Sequence, residues 1–254
     1  MWDPDRYLAF ADQRARPFRD LVAQVDATDV REVADLGCGP GNLTVGLALR
    51  WPDAHVVGVD SSAEMIAATQ AADRVEFVQA DLRDWEPARP VDVLLSNATL
   101  QWVPGHLELL PRLAGHVADG GWLAFQVPGN FGEPAHVLLR ELTGTDRWRD
   151  LLHHLHRPGV HEPAAYLDAL LDLGLEAQVW ETTYHQLLQG EDAVLEWMSG
   201  TALRPIFAAL DAAGGRELFL ADYRELLRTA YSPGRHGTVL PYRRVFAVAR
   251  KPGR

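Results

Sequence analysis

The chain is 254 residues long, 47% hydrophobic and 23% charged, enough to bury one large α/β core and unlike the composition of a disordered segment. A net charge of −11 argues against a general nucleic-acid or anionic-membrane binder, since either needs a basic face to meet phosphates or lipid head groups. The single cysteine, Cys38, excludes an internal disulfide framework and a cysteine-built zinc site. With a charged start and no apolar run near the roughly 18 residues of a membrane span, a cytoplasmic protein is expected.

In chain order, Tyr7, Phe10, Arg14 and Leu21 recur at helical spacing, which puts Arg14 on the apolar face of a first helix rather than among its solvated charges. Candidate strands follow at 31–36, 55–60, 75–80, 91–96 and 121–127, separated by helical stretches near 42–51, 62–72 and 105–118. Strand alternating with helix predicts a parallel sheet covered on both faces. After Pro128 the period changes: "EPAHVLLRELTG", "DRWRDLLHHLH", "EPAAYLDALLDLG", "EDAVLEWMSG" and "RELFLADYRELLRTAY" read as amphipathic helices, interrupted by strands at 176–187 and 242–250. No repeat or low-complexity linker divides the chain. A single domain over 1–254 is therefore expected, with a helical cap drawn from about 1–25, 131–160 and 190–237.

The first strand runs straight into a glycine loop, "VADLGCGPGN", at the strand end where open α/β sheets bind ligands. Its spacing is Gly37-x-Gly39-x-Gly41, with Asn42 where a dinucleotide fingerprint would carry its third glycine, so an NAD-dependent dehydrogenase is disfavoured. Asp60 ends the second strand, where a carboxylate can accept both hydroxyls of a ribose. Asp81 follows the third strand, in reach of an adenine amino group. No phosphate-binding cation accompanies the loop, and two acids without one suit a nucleoside ligand better than a dinucleotide.

These segments, "VADLGCGPG", "VVGVDSSAEMI", "ADLRDW" and "VDVLLSNATLQWV", resemble in order the strand-end motifs of class I S-adenosylmethionine-dependent methyltransferases, over roughly residues 30–130. The resemblance implies S-adenosylmethionine as cofactor. It places Asp35, Gly37, Gly39 and Gly41 around the methionine part, Asp60 with Ser61 at the ribose, Asp81 and Leu82 at the adenine, and Asn97 beside the sulfonium. It implies a Rossmann-like doubly wound sheet of seven strands, mostly parallel with the last antiparallel, plus the helical cap. The flanks "YLAFADQRARPFRDLV", "SNATLQWVPGH", "EPAHVLLRE", "TALRPI" and "RRVFAVAR" look more narrowly like the trans-aconitate 2-methyltransferase family. That likeness implies methyl transfer to a carboxylate of trans-aconitate, a small polycarboxylate. Residues 144–158 and 211–238 depart from the family, which bears on the choice of acid.

A carboxylate acceptor is ionised at neutral pH and needs no general base, and the sequence offers no His–Asp pair to act as one, so no catalytic residue is expected beyond positioning groups. A polyanion in an acidic protein needs fixed cations. Arg14 is expected at the cofactor's carboxylate, with Tyr7 and Phe10 closing over it. Arg204, in a loop marked by the helix-breaking Pro205, and Arg244, rather than its opposite-facing neighbour Arg243, are expected at the substrate. Trp102 is a candidate pocket wall, and His136 and Tyr184 are candidate hydrogen-bond donors to the substrate. His153, His154, His156 and His161 lack metal-ligand spacing, and Cys38 lacks a partner that would make it a nucleophile. Ser96-Asn97-Ala98-Thr99 stands where enzymes that methylate flipped-out bases carry [DN]-P-P-[YF], which disfavours a nucleic-acid partner. Another small acceptor, or cofactor binding without turnover, stays open at this stage.

Overall fold

The computed structural model describes residues 11–155 and 159–253, with side chains from residue 15 onward. Seven strands form one sheet in the order β3-β2-β1-β4-β5-β7-β6. They are β1 (Glu32–Leu36), β2 (His55–Asp60), β3 (Val75–Gln79), β4 (Val91–Asn97), β5 (Val117–Pro128), β6 (Glu176–Leu188) and β7 (Thr238–Arg250). The pairs β1·β2, β1·β4, β2·β3 and β4·β5 are parallel, and β5·β7 is antiparallel, as the class I methyltransferase resemblance implied. The central strands β1 and β4 are buried almost throughout, and their near-continuous apolar runs follow from helices covering both faces of a parallel sheet.

The chain divides into two compact units. The sheet unit holds the described parts of residues 12–128, 158–182 and 244–254. The helical unit holds those of residues 129–157 and 183–243. In the sheet unit, helices α1 (Ala11–Val22), α2 (Thr44–Arg50), α3 (Ala63–Ala67), α4 (His106–His116) and α7 (Pro163–Asp172) accompany the strands. Leu36, Leu94, Leu110, Leu113, Phe125 and Tyr166 sit in one core cluster, and full burial of such side chains stabilises by roughly 1.5–3 kcal/mol each. Tyr166 also reaches His106, whose Nε2 lies 2.7 Å from the phenol oxygen and whose Nδ1 lies 3.2 Å from the Val103 carbonyl. That carbonyl can only accept, so the ring proton sits on Nδ1 and the tyrosine hydroxyl donates to Nε2.

The helical unit contains α5 (Pro134–Thr143), α6 (Arg149–Leu152), α8 (Ala193–Ser199), α9 (Arg204–Ala213) and α10 (Arg216–Ala230). Two tyrosines of this unit clamp the first turn of α5: Tyr223 donates to the Ala135 carbonyl at 2.7 Å and Tyr231 accepts from the Ala135 N–H at 3.0 Å. Trp148 meets Phe219 edge to face at 5.3 Å, and Asp192 receives Arg224 and Arg228 at 2.8 and 3.0 Å.

Several boundaries differ from expectation, among them that of β7, which begins at Thr238 rather than 242. The helix expected over 62–72 is only Ala63–Ala67, started by Ser62, whose side chain accepts from the Met65 N–H. Among the described residues of "DRWRDLLHHLH", one helical turn is present, Arg149–Leu152. Strand β5 begins at Val117 rather than 121, because a register shift between Val91 and Val93 admits extra residues around Gly120, whose φ is +82°.

Candidate functional site

The sheet changes direction at β1 and β4: β2 and β3 lie on one side of this pair and β5 on the other. Crevices beyond the carboxyl ends of such strands are where open α/β sheets bind ligands. The loop leaving β1 fills that position. Gly37, Gly39 and Gly41 all adopt left-handed φ, +80°, +57° and +77°, which a β-carbon disfavours. Gly37 and Gly41 are also tightly covered, since an added Cβ would lie 2.0 Å from Thr99 Oγ1 and 2.4 Å from the Phe77 ring. Gly39 has nothing within 4 Å of that position, so its bare face borders open space.

The donors of this loop are committed internally. The N–H groups of Gly37 and Cys38 both reach the Val59 carbonyl, at 2.7 and 3.0 Å. Gly39 N–H donates to Asp60 Oδ2 at 2.9 Å, Gly41 N–H donates to the Cys38 carbonyl at 3.2 Å, and Pro40 has no N–H to give. No donor within Gly37–Gly41 is left for a pyrophosphate, which is the physical counterpart of the missing third glycine of a dinucleotide site.

What surrounds the loop is acidic. Asp60 is half-buried, and its Oδ1 accepts the Ser62 N–H at 2.9 Å, so each carboxylate oxygen holds one backbone donor and keeps a further lone pair. Ser61 beside it is exposed. Asp81 forms a fork with Arg83, Nε to Oδ1 at 2.9 Å and Nη2 to Oδ2 at 2.5 Å, and these hydrogen bonds hold its carboxyl below the usual range. Leu82 is buried next to it. Asp35 lies beneath the loop at 2% exposure. Its Oδ2 accepts the Thr44 hydroxyl at 2.7 Å, while its buried Oδ1 has no hydrogen-bond partner. Burial raises the Asp35 pKa from 3.8 to about 6, the Thr44 hydrogen bond opposes the rise, and Asp60 adds to it. Burial, then Asp35 and Asp60, push the Cys38 thiol far above its ordinary range, which removes it as a nucleophile at neutral pH.

The end of β4 is tied to the same loop. Ala98 turns the chain with φ of 54°, and the Thr99 hydroxyl lies 3.2 Å from the Asn97 carbonyl and 3.4 Å from the Gly37 carbonyl. Asn97 itself is half-buried, and Trp102 closes the following 3-10 turn, Leu100–Trp102, at 38% exposure. The open face of Gly39, the partnerless Asp35 oxygen and the Asp60 carboxylate beside the loop fit a nucleoside whose other end carries positive charge.

Comparison with known proteins bears on the same residues. The family described as "Methyltransferase domain" matches residues 33–121. The chain is 54% identical to the trans-aconitate 2-methyltransferase of Streptomyces avermitilis, covering 98% of this chain and 97% of that one. It is 49% identical to the Rhodococcus jostii enzyme of the same name, over 98% and 99%. The chain belongs to the trans-aconitate 2-methyltransferase family. Among solved structures, the Bacillus subtilis YcgJ protein aligns with a TM-score of 0.58 at 11% identity, covering 94% of this chain and 99% of that one. The Haemonchus contortus phosphoethanolamine N-methyltransferase 2 in complex with S-adenosyl-L-methionine aligns at 0.56 and 16%, covering 93% and 52%. At those identities the likeness is one of fold.

In this member of the trans-aconitate 2-methyltransferase family, the structure brings Asp35, Gly37, Gly39, Gly41, Asp60 and Asn97 together around the loop. Arg244 is buried on β7 and donates to Gln126 at 3.2 Å. His136 stands in α5, where Nε2 accepts from Asn130 at 3.2 Å, and Tyr184 is buried in β6. Arg204 opens helix α9 instead of marking a loop, because Pro205 sits in the first turn, where its missing N–H breaks no hydrogen bond. Tyr7, Phe10 and His156 lie outside the described residues, as does the side chain of Arg14. His153 is bound to its own turn, Nδ1 to the Arg149 and Asp150 carbonyls, and among the described residues no group of three or more His, Cys, Asp or Glu could hold a metal ion. Thr44, Thr99 and Gln126, which hold Asp35, Gly37 and Asn97, were not singled out from the sequence. Gln126 carried a signal, being the lone polar side chain in the apolar run "WLAFQV".

An open groove of about 1030 Å³ lies at the opposite end of the strands, lined by residues including Asp92, Asp119, Trp122, Glu176 and Arg250. It carries none of this machinery. Its Asp92 is committed to the Arg31 and Glu32 N–H groups at 2.7 and 3.0 Å, and Glu176 faces Arg250 at 3.9 Å. Among the described residues no helix is long and apolar enough to cross a membrane.

Proposed function

We propose that the chain transfers the methyl group of S-adenosylmethionine to a carboxylate of trans-aconitate, forming a monomethyl ester and S-adenosylhomocysteine. The observation that supports the cofactor best is the glycine loop at the switch point of the sheet. Its donors are committed, its middle glycine is open, and the carboxylates around it suit a cationic nucleoside better than a phosphate. Membership of the trans-aconitate 2-methyltransferase family supports the substrate. A cytoplasmic site of action, in keeping with the lone cysteine, belongs to the same proposal.

S-adenosylmethionine, when bound, supplies a methyl group carried on a positively charged sulfur. The residues that would hold it are Asp60 and Ser61 at the ribose, Asp81 and Leu82 at the adenine, and Asp35 with the three glycines at the methionine end, where a donor would satisfy the partnerless Asp35 oxygen. The Asp81 carboxylate would share its acceptor capacity with Arg83. Arg14 is the candidate for the cofactor's carboxylate. Arg204 and Arg244 are candidate cations for the acid, with Tyr7, Trp102, His136 and Tyr184 as further candidate contacts. No side chain has to remove a proton, because a carboxylic acid is already ionised at neutral pH. The protein's contribution is to orient the acceptor and exclude water from it, and such positioning is worth roughly 7–11 kcal/mol in well-oriented reactions.

The test is turnover with trans-aconitate, cis-aconitate, citrate and isopropylmalate in parallel, following S-adenosylhomocysteine. Product with trans-aconitate well above the others is expected. Cofactor binding without turnover of any acid would overturn the proposal.

A further inference from the structure

A line of three polar side chains crosses the sheet unit from β7 to the site. Asn97 stands opposite Gln126 in the β4·β5 register. Gln126 stands opposite Phe246 in β5·β7, and Arg244, two residues from Phe246, projects from the same face. Arg244 Nη1 donates to Gln126 Oε1 at 3.2 Å, and Gln126 Nε2 donates to Asn97 Oδ1 at 2.5 Å. Gln126 is 1% exposed and Arg244 6%, so water does not compete for these bonds.

The sense of the line is dictated by its charged end. A guanidinium has donors only and stays protonated. The Gln126 oxygen must therefore face Arg244, its amide nitrogen must face Asn97, and Asn97 must offer its oxygen in return. That leaves the Asn97 amide NH2 turned away from Gln126, with no hydrogen bond to any described residue, at the strand end that Thr99 ties to Gly37. An NH2 carries partial positive charge. It is a poor neighbour for a sulfonium and a good one for a carboxylate oxygen.

We infer that Gln126 is a positioning residue that fixes Asn97 to present its NH2 to a carboxylate oxygen of the acceptor, making Asn97 a determinant of acid recognition rather than a cofactor contact. This rests on the function proposed above and adds to it which residue reads the anion.

Gln126→Glu tests it. The new carboxylate pairs with Arg244 and offers Asn97 only an acceptor, so the asparagine must turn its NH2 inward and its oxygen toward the acceptor. The expected result is a rise of tenfold or more in KM for trans-aconitate, with affinity for S-adenosylhomocysteine, read by calorimetry, unchanged within twofold. Asn97→Asp, which keeps the bond to Gln126 but removes the NH2, should do the same, and decides the matter if Gln126→Glu fails to fold. In an Asn97→Ala background, Gln126→Glu should add less than twofold to KM, because Gln126 acts through Asn97; the full factor again, from a merely structural role or from the new carboxylate neutralising Arg244 at the substrate, would overturn the inference. An unchanged KM in Gln126→Glu and Asn97→Asp, or a matching loss of S-adenosylhomocysteine affinity, would overturn the inference. If the wild type prefers another carboxylic acid, the substrate proposed above falls while a KM rise for that acid upholds this inference. If it methylates only uncharged acceptors or nothing, both fall.

Discussion

Replacing Asp35 by Asn should make the ligand-free protein more stable at neutral pH and less able to bind its cofactor. Asp35 is buried with one oxygen lacking a partner, and burial lifts its pKa from 3.8 to about 6. Between those values the native state binds more protons than the unfolded chain, so this carboxyl's contribution to stability falls as pH rises and levels off above about 6. At roughly 1.4 kcal/mol per pH unit the whole fall is about 3 kcal/mol, of which about 2 lies between about pH 4.5 and pH 7.5. Asparagine keeps the shape without the titration. Urea unfolding of wild type and Asp35→Asn at both pH values, without cofactor, should therefore show the variant gaining about 2 kcal/mol on the wild type as pH rises. S-adenosylhomocysteine should stabilise the wild type far more than the variant. A constant offset between the two proteins at both pH values, or equal stabilisation by the ligand, would refute the reasoning.

The glycines should separate by what covers them. Gly37→Ala and Gly41→Ala, which drive a Cβ into Thr99 and Phe77, should abolish S-adenosylhomocysteine binding in calorimetry. Gly39→Ala should fold with about 1–2 kcal/mol lost to its left-handed φ, yet still bind weakly because the methyl enters the open face. Asp60→Ala frees the Gly39 and Ser62 N–H groups together and should raise the ligand's Kd at least 100-fold, with turnover at saturating cofactor less affected. Arg204→Gln should raise KM for trans-aconitate without changing cofactor affinity; no change in either removes it from the substrate site. Burial lowers the His106 pKa, so its neutral form stabilises the fold above about pH 6.5 and that stability is lost as pH falls below it. Tyr166→Phe, which takes away the donor to Nε2, should cost about 1–3 kcal/mol in thermal or urea melts at pH 8.

The alternation of buried runs such as "HVVGVD" and "VDVLLSN" with helical stretches was enough to read the sheet, because parallel strands must be apolar on both faces. The carboxylates at the ends of β1 and β2 were legible for the same reason, as charges where a buried strand stops. The side chains that hold the site in shape were harder to see. Thr44 and Thr99 look like ordinary helix-start and turn residues until the fold brings them against Asp35 and Gly37, from 9 and 62 residues away. Arg204 was misread as a loop residue because a proline that breaks a helix interior is indistinguishable, in sequence, from one that begins a helix. The stretches "SAEMIAATQAA" and "DRWRDLLHHL" overpromised helix, since periodicity shows which face is apolar and not where tertiary contacts stop rewarding another turn.

Strand β7 follows every other strand in the chain yet enters the sheet between β5 and β6. A growing chain therefore completes the glycine loop and the first five strands while β5 still exposes an unpaired, largely apolar edge. Such an edge is a template for mispairing, and closing it waits on a contact between residues more than a hundred positions apart, whose loop entropy must be overcome first. Folding is thus held open by its final strand. Arg244 arrives with that strand, so Gln126 and Asn97 are already in the chain when the guanidinium that fixes the sense of the Gln126 amide is put in place last.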